Sequence, residues 1–189
     1  MLTFSRNFIL QMRFLLINIL FFSMLFSLQA QSTAEAYVNK FDSLAIEIMN
    51  TYQIPASLIL GIALQESAAG TSKLCRLNHN HFGVKGRVKS SKTKSGYKTS
   101  YRKFDSDEAA YTHIGELISS RKYYPGLKGN MDYLKWLKAI HAAKYATSPT
   151  WVSHVDKMIK RYNLTRFDTP FIKPLVPFPV NTIINTIHE

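Results

Sequence analysis

The segment from residue 54 to residue 67 constrains the fold more than any other part of the chain. It is almost wholly apolar until it reaches Gln65, Glu66 and Ser67. Pro55 suits the first turn of a helix, where a backbone N–H is not needed. A helix that is hydrophobic around its whole circumference has to be surrounded by other elements. We therefore expect this helix to form the centre of the fold, with Glu66 at its edge.

Glu66 is the first candidate functional residue. A carboxylate at the rim of an apolar core has to be paired or hydrogen-bonded, or its pKa rises. A carboxyl group that keeps its proton near neutral pH can serve as the general acid in glycosidic bond cleavage. The alternative is a glutamate that turns to water at the helix end, which is the commoner case in arbitrary sequences. The segments that follow favour the catalytic interpretation.

Residues 1–30 have the pattern of a secretory signal peptide. Arg6 and Arg13 precede the uncharged run 14–28, and Ala30 offers a small residue for cleavage. The apolar run is shorter than the roughly 20 residues that a transmembrane helix needs. The sequence therefore predicts export to the periplasm or the extracellular space, without stable membrane insertion after cleavage.

The remainder divides into a predicted domain at residues 31–167 and a proline-rich tail at residues 168–189. Cys75 is the single cysteine, so no intrachain disulfide can form. The formal net charge of +12 favours anionic partners such as a cell-wall polymer, a membrane surface or nucleic acid. Export argues against nucleic acid.

Periodicity predicts a mostly α domain with one β-hairpin lobe. Alternation between residues 87 and 104, with Ser95 and Gly96 at a turn, indicates the hairpin. Apolar residues at helical spacing predict the helices. We expect helices at about 33–51 and 55–66, a short one near 73–77, a third long helix capped by Asp105 and Glu108, one capped by Asn130, and a last one from Ser148.

Four sequence motifs follow one another in a fixed order and together carry a resemblance. They are Ile54-Pro55-Ala56-Ser57 with Ala63-Leu64-Gln65-Glu66-Ser67 and Gly70-Thr71-Ser72, then Asn80-His81-Phe82-Gly83-Val84-Lys85-Gly86, then Tyr101-Arg102-Lys103-Phe104-Asp105-Ser106, and finally Tyr145-Ala146-Thr147-Ser148-Pro149. In this order the chain resembles the bacterial N-acetylglucosaminidase family of cell-wall hydrolases, which includes autolysins and the wall-cutting domain of the flagellar rod protein. The resemblance extends over about residues 37–165.

The resemblance implies a mainly α, lysozyme-like helical domain with a cleft between its helical body and a small β-hairpin lobe. It also implies hydrolysis of the β-1,4 bond after N-acetylglucosamine in peptidoglycan, by a monomer that acts on glycan strands without a cofactor. Glu66 matches the family's general acid, and Tyr145 matches its active-site tyrosine. Asn80, Phe82, Gly83, Lys85, Tyr101 and Thr147 are the expected substrate-binding residues.

Each of these residues also has a structural interpretation. Asn80, Phe82, Gly83 and Lys85 could form a turn that only supports the lobe. Tyr97 and Tyr101 could stack on sugar rings, whereas Trp151 lies on a helix with regular apolar spacing and is predicted to belong to the core.

The sequence departs from the two-carboxylate scheme of most glycosidases. No Asp or Glu lies between Ser67 and Phe104, although the predicted hairpin is where the family often carries its second acid. Asp105 and Glu108 are better explained as helix caps. The 2-acetamido group of the substrate could participate instead, with Tyr145 orienting that group or a water molecule.

Two further features have simple interpretations. His79 and His81 are separated by one residue and have no carboxylate or third histidine beside them in the sequence, so we expect no metal site. The acid-free basic run at residues 85–103 is typical of a solvated surface, and it could also hold the domain on an anionic wall polymer.

Two other functions are compatible with the sequence. A lytic transglycosylase also uses one glutamate in a lysozyme-like fold, but the Gly-Leu-Met-Gln segment that usually follows its glutamate is absent from this chain. A non-catalytic wall-binding module is the second alternative, and the missing hairpin carboxylate favours it.

Overall fold

The computed structural model describes residues 6–86, 91–92 and 98–168. Within these ranges the chain forms a helical body and a short two-stranded sheet. The elements are α1 (Arg6–Tyr52), α2 (Ala56–Ser67), α3 (Lys73–Asn78), β1 (Ser91–Lys92), β2 (Lys98–Thr99), α4 (Asp107–Ser119), α5 (Tyr124–Leu127), α6 (Tyr133–Ala142), α7 (Trp151–Arg161) and a closing 3-10 helix (Leu164–Phe167).

Helix α2 is the centre of the domain, as its composition predicts. Every residue from Ala56 to Leu64 is buried. Helices α1, α6 and α7 and the closing 3-10 helix all pack against it. An all-round apolar helix is stable in water only when it is enclosed in this way.

Gly61 allows α7 to lie very close to α2. A Cβ atom at this position would stand 2.6 Å from Cγ1 of Ile159 and 3.2 Å from Cγ1 of Val155. Both of those side chains belong to the buried face of α7. The missing side chain therefore sets the distance between the two helices, and with it the position of Trp151 at the start of α7.

The N-terminus of α2 is capped by a residue that is distant in sequence. Pro55 provides no side-chain cap. Asp168 instead accepts hydrogen bonds from the Ser57 backbone N–H at 2.8 Å and from the Ser57 hydroxyl at 2.6 Å. A carboxylate at this end of a helix satisfies an orphan N–H group and favours the helix dipole. The rest of the predicted tail, residues 169–189, lies outside the described residues.

Helix α1 begins far earlier than predicted. We expected a start near Thr33, but the helix runs from Arg6 to Tyr52, because no glycine or proline interrupts this stretch. Among its described side chains, Ala34 is the first that belongs to the core. Within residues 11–19, the large apolar side chains are exposed, namely Met12, Phe14, Leu15, Leu16, Ile17 and Ile19.

Among the described residues, no helix combines the length and the apolar character needed to cross a membrane. The N-terminal signal peptide stays a prediction from the sequence.

Two predicted helix caps are wrong. The N-cap of α4 is Ser106, whose hydroxyl accepts from the Ala109 N–H, and not the pair Asp105 and Glu108. The N-cap of α6 is Asp132, whose carboxylate accepts from the Leu134 N–H. Asn130 instead accepts from the Asp132 N–H. In both cases another polar residue stands one or two positions closer to the first helical turn and reaches its N–H groups.

Three other boundaries differ by less. The last long helix begins at Trp151 rather than at Ser148, whose carbonyl accepts from the Trp151 N–H. The single turn α5 (Tyr124–Leu127) lies in a stretch for which the sequence predicted no helix. The short helix expected near residues 73–77 forms α3.

Strands β1 and β2 pair antiparallel, with Ser91 opposite Thr99. The pairing continues toward the body through an antiparallel bridge between Lys85 and Tyr101. The expected turn at residues 95–96 and the side chain of Tyr97 lie outside the described residues. The described pairs have the direction that the alternating sequence predicts, and the hairpin lobe as a whole stays a prediction.

Candidate active site

A cleft of about 610 Å³ opens beside the C-terminal end of α2. Its volume lies in the range of small-ligand sites. Nearly all of the site residues expected from the sequence line it, and the only one that does not is Asn80. Those that line it are Glu66, Phe82, Gly83, Lys85, Tyr101, Tyr145 and Thr147.

Glu66 lies half-buried in this cleft. Burial raises the pKa of its carboxyl group, and a hydrogen bond from Trp151 acts in the opposite direction. The Trp151 indole Nε1–H donates to Glu66 Oε1 at 2.7 Å. Because Trp151 occupies one oxygen, the other oxygen, Oε2, is the one that can act on a ligand. The carboxyl group is thus both oriented and biased toward its protonated form.

Gly83 lies directly against the Glu66 carboxyl group. A Cβ atom at Gly83 would stand 3.1 Å from Glu66 Oε2, and the backbone there has a φ of +63°. Both the space and the left-handed conformation favour glycine. The glycine therefore keeps Oε2 accessible from the side of the 80–86 segment.

Tyr145 lines the cleft. Its hydroxyl donates to the Phe82 carbonyl at 2.6 Å. Burial and the nearby charge of Glu66 raise the pKa of Tyr145 well above its usual value. Its proton is therefore held toward Phe82, while the lone pairs of its oxygen are left to accept another hydrogen bond.

Asn80 lies beneath the cleft rather than in its wall. Its side-chain Nδ2 donates to the carbonyls of Val84 at 2.8 Å and Arg102 at 2.7 Å, and its Oδ1 accepts from the Val84 N–H at 2.9 Å. The residue is fully buried. These bonds join the 80–84 turn to the backbone of Arg102, so in this structure the side chain has a supporting position.

Glu66 is the only acidic side chain among the described residues that line the cleft. Asp105 and Glu108 are exposed and lie outside the lining. Lys85, Arg121 and Lys144 contribute positive charge to the same wall. A second carboxylate opposite Glu66 is therefore missing from the described part of the site.

The two histidines of the second motif are bound to one carboxylate behind the cleft. His79 Nδ1 lies 2.7 Å and His81 Nε2 lies 2.9 Å from Asp107 Oδ1, and Lys40 pairs with Oδ2 at 3.2 Å. Although burial acts to raise it, the pKa of Asp107 falls to about 2 because of these partners, His81 first. Sequence spacing offers no sign of this cluster, because Asp107 is brought in by α4.

His81 is a neutral donor and acceptor in this cluster. Its Nε2–H donates to the Asp107 carboxylate, so its Nδ1 accepts from the Tyr37 hydroxyl at 2.7 Å. Burial lowers the pKa of His81 in spite of Asp107. The Cys75 sulfur lies 3.3 Å from the same Nδ1, and burial raises its pKa to about 11, so it is not an activated thiol.

Within the described ranges, no group of three or more His, Cys, Asp or Glu side chains is arranged to hold a metal ion. The cluster around Asp107 instead fixes the turn that carries Phe82 and Gly83, because it joins that turn to α1 and α4.

Trp151 is the site residue that the sequence did not reveal. It was expected to belong to the core, and it is indeed only 4% exposed. Its ring also lines the cleft next to Tyr145, with the two ring centroids 5.5 Å apart. The available signal was its place just after the Tyr145–Pro149 motif, together with the need of a buried indole N–H for an acceptor.

Comparisons with known proteins identify the family of the chain. The profile of the family described as mannosyl-glycoprotein endo-beta-N-acetylglucosaminidase matches residues 42–164. An N-acetylmuramoyl-L-alanine amidase domain-containing protein of Staphylococcus aureus is 28% identical over 133 residues, which are 61% of this chain and 22% of that protein. The exo-glucosaminidase LytG of Bacillus subtilis is 24% identical over 152 residues, 71% of this chain and 53% of that protein.

A solved structure has the same fold. The catalytic domain of the autolysin Auto from Listeria monocytogenes has a TM-score of 0.60 and 24% identity, and the likeness covers 72% of this chain and 88% of that domain. At this identity the likeness shows the fold alone. It confirms the predicted mainly helical, lysozyme-like class. The chain spans about half or less of the length of the Staphylococcus and Bacillus relatives.

Proposed function

Because the chain belongs to the glucosaminidase family of the endo-beta-N-acetylglucosaminidase type, we propose that it cleaves the β-1,4 bond after N-acetylglucosamine in peptidoglycan, with Glu66 as the general acid. One observation carries this proposal. The Glu66 carboxyl group is half-buried in a cleft wide enough for sugars, its pKa is raised by burial, and Oε2 faces the open space beside Gly83.

In the first step the Glu66 carboxyl group gives its proton to the glycosidic oxygen as the bond from that oxygen to C1 breaks. The electron pair of the bond leaves with the oxygen, and C1 becomes electron-poor. Glu66 is then a carboxylate, and the Trp151 N–H stabilises its charge. In the second step this carboxylate takes a proton from the water that attacks C1.

The electron-poor C1 has to be stabilised or attacked by a second group. Among the described residues of the cleft wall, no second carboxylate can do this. We propose that the 2-acetamido oxygen of the substrate attacks C1 and forms a cyclic intermediate, which water then opens. Tyr145 supports this route. Its proton is committed to the Phe82 carbonyl, so its oxygen can accept the acetamido N–H and make the acetamido oxygen a better nucleophile.

The proposed substrate lies outside the cytoplasm, which agrees with the signal peptide predicted at residues 1–30. The curated relatives include an autolysin of Enterococcus faecalis. We propose that the chain is exported to the cell envelope and acts there as a monomer on glycan strands.

Digestion of purified sacculi with the wild type and with Glu66→Gln tests the reaction. We expect the wild type to release products that end in reducing N-acetylglucosamine. We expect Glu66→Gln to lose at least about 100-fold in rate, because general acid catalysis contributes roughly 10²–10⁴-fold. Mass analysis of the digest identifies both the bond and the end group.

The same digest separates the alternatives. Anhydromuramic acid ends would indicate a lytic transglycosylase, which the missing second carboxylate favours because that reaction needs no attacking water. Release by neither protein would exclude the enzyme and leave a wall-binding module, and equal release by both would exclude Glu66 as the general acid.

A further inference from the structure

The wall of the cleft carries three cations that come from separate elements. Lys85 lies in the bridge with Tyr101 next to the two strands, Arg121 follows the end of α4, and Lys144 follows the end of α6. All three side chains are exposed. The convergence is not a property of one basic segment, because Arg121 and Lys144 lie outside the basic run at residues 85–103.

None of these three cations has a carboxylate partner among the described residues. Lysines elsewhere in the domain are paired, for example Lys40 with Asp107 and Lys160 with Asp156. Like charges that face one cleft repel each other, and an arriving anion removes that repulsion. The helix dipole favours a cation near the C-terminal end of a helix, which explains Arg121 after α4 and Lys144 after α6. It does not explain why Lys85 lies in the same wall.

A neutral sugar has no charge that could neutralise these three cations. In peptidoglycan, however, every muramic acid carries a 3-O-lactyl group. Its carboxylate is either free or joined to a peptide that has carboxylates of its own. An anion therefore recurs on alternate sugars of the strand, next to the bond that Glu66 would cleave.

We propose that Lys85, Arg121 and Lys144 form a carboxylate-binding subsite that holds the acidic substituent of muramic acid. The inference rests on the proposed function for its substrate class. It adds that the cleft selects muramic acid-containing strands over neutral polymers of N-acetylglucosamine through charge. Hydrogen bonds from Arg and Lys to a carboxylate supply the selection.

Binding tests the subsite without depending on turnover. The protein is the full chain with Glu66→Gln, and the probe is soluble glycan strand freed of peptide, in which the lactyl carboxylates are either intact or converted to methylamides. We expect conversion to weaken binding. Arg121→Gln combined with Lys144→Gln should weaken binding to the intact strand about tenfold or more and should remove most of the difference between the two strands.

A matched pair of variants controls for the general basic charge. Lys122 and Lys138 are exposed and lie outside the cleft lining. Lys122→Gln combined with Lys138→Gln removes the same charge and should leave the difference between the strands unchanged. The inference is overturned if the methylamide strand binds as tightly as the intact strand, or if the two double variants behave alike.

Peptide-bearing strands identify the source of the carboxylate. If they lose as much affinity in the Arg121 and Lys144 variant as the peptide-free strands do, the subsite takes peptide carboxylates as well as the lactyl group. If only the peptide-free strands lose affinity, the lactyl carboxylate is the ligand. Failure of the wild type to cleave sacculi would refute the proposed reaction. It would not change the result for the subsite, because binding is measured without turnover.

Discussion

The hydrogen bond from Trp151 lowers the pKa of Glu66, the candidate catalytic residue. The indole N–H stabilises the carboxylate and so lowers a pKa that burial raises. In Trp151→Phe we expect the pKa of Glu66 to rise further. The general acid works in its protonated form, so activity is lost as pH rises through this pKa. The alkaline limb of kcat/KM against pH should therefore move to higher pH.

Trp136 provides the control for this prediction. Its indole N–H donates to the Asn130 carbonyl at 2.7 Å, and the residue does not line the cleft. Trp136→Phe removes a buried indole hydrogen bond as well, so it should reduce stability without moving the alkaline limb. An identical limb in Trp151→Phe and the wild type would mean that another group titrates.

At the scale of elements, the contact between α2 and α7 is the most sensitive to a single methyl group. Gly61→Ala places a Cβ atom 2.6 Å from Ile159, so α7 has to move or Ile159 has to leave its rotamer. We expect a loss of about 1–3 kcal/mol in the free energy of unfolding, as overpacked cores show. Activity should fall too, because Trp151 moves with α7.

Urea unfolding monitored by tryptophan fluorescence measures this loss. Gly126→Ala is the matched control, since a Cβ atom at Gly126 has nothing within 4 Å. A stability for Gly61→Ala equal to that of Gly126→Ala would show that the two helices are not held at the distance described.

The cluster around Asp107 makes the junction of α1, α4 and the 79–84 turn sensitive to acid. The pKa of Asp107 in the folded chain is about 2, below its ordinary 3.8. Its contribution is thus nearly complete above about pH 4 and is lost as pH falls toward 2, and solvent screening keeps it below about 2 kcal/mol. The lowered pKa of His81 acts in the same direction, since the unfolded chain takes up that proton more readily.

Asp107→Asn tests this account. We expect the variant to be less stable than the wild type at pH 7 and to approach it in stability near pH 2, as measured by urea unfolding across this range. Glu47→Gln changes an exposed carboxylate of α1 and should follow the wild type throughout. A constant gap between Asp107→Asn and the wild type would contradict the link to ionisation.

For the whole molecule, the boundary between leader and domain is the main prediction. Residues 11–19 are exposed on α1, and Ala34 is the first described residue of the core. A chain that begins at Gln31 should therefore unfold with a free energy within about 0.5 kcal/mol of the full chain. The mass of the exported protein should correspond to cleavage near Ala30. A large loss of stability would mean that the leader packs on the domain.

Structure and family are predicted best from the sequence where one property, such as apolar composition or motif order, dominates a segment. The apolar composition of α2 required a central helix, and motif order indicated the family, which the comparisons confirm. The caps of α4 and α6 were missed because several polar residues compete within two or three positions. The bonds of Trp151 to Glu66 and of the histidines to Asp107 could not be predicted, because they join residues that only the packing of helices brings together.

The bonds between Ser57 and Asp168 join positions that are 111 residues apart. Translation proceeds at about 5–20 residues per second, so the ribosome makes the start of α2 well before it makes its cap. Until then the first turn of that helix lacks the acceptor that completes it. A growing polypeptide consequently completes the N-terminus of its central helix only when almost the entire described domain has been made.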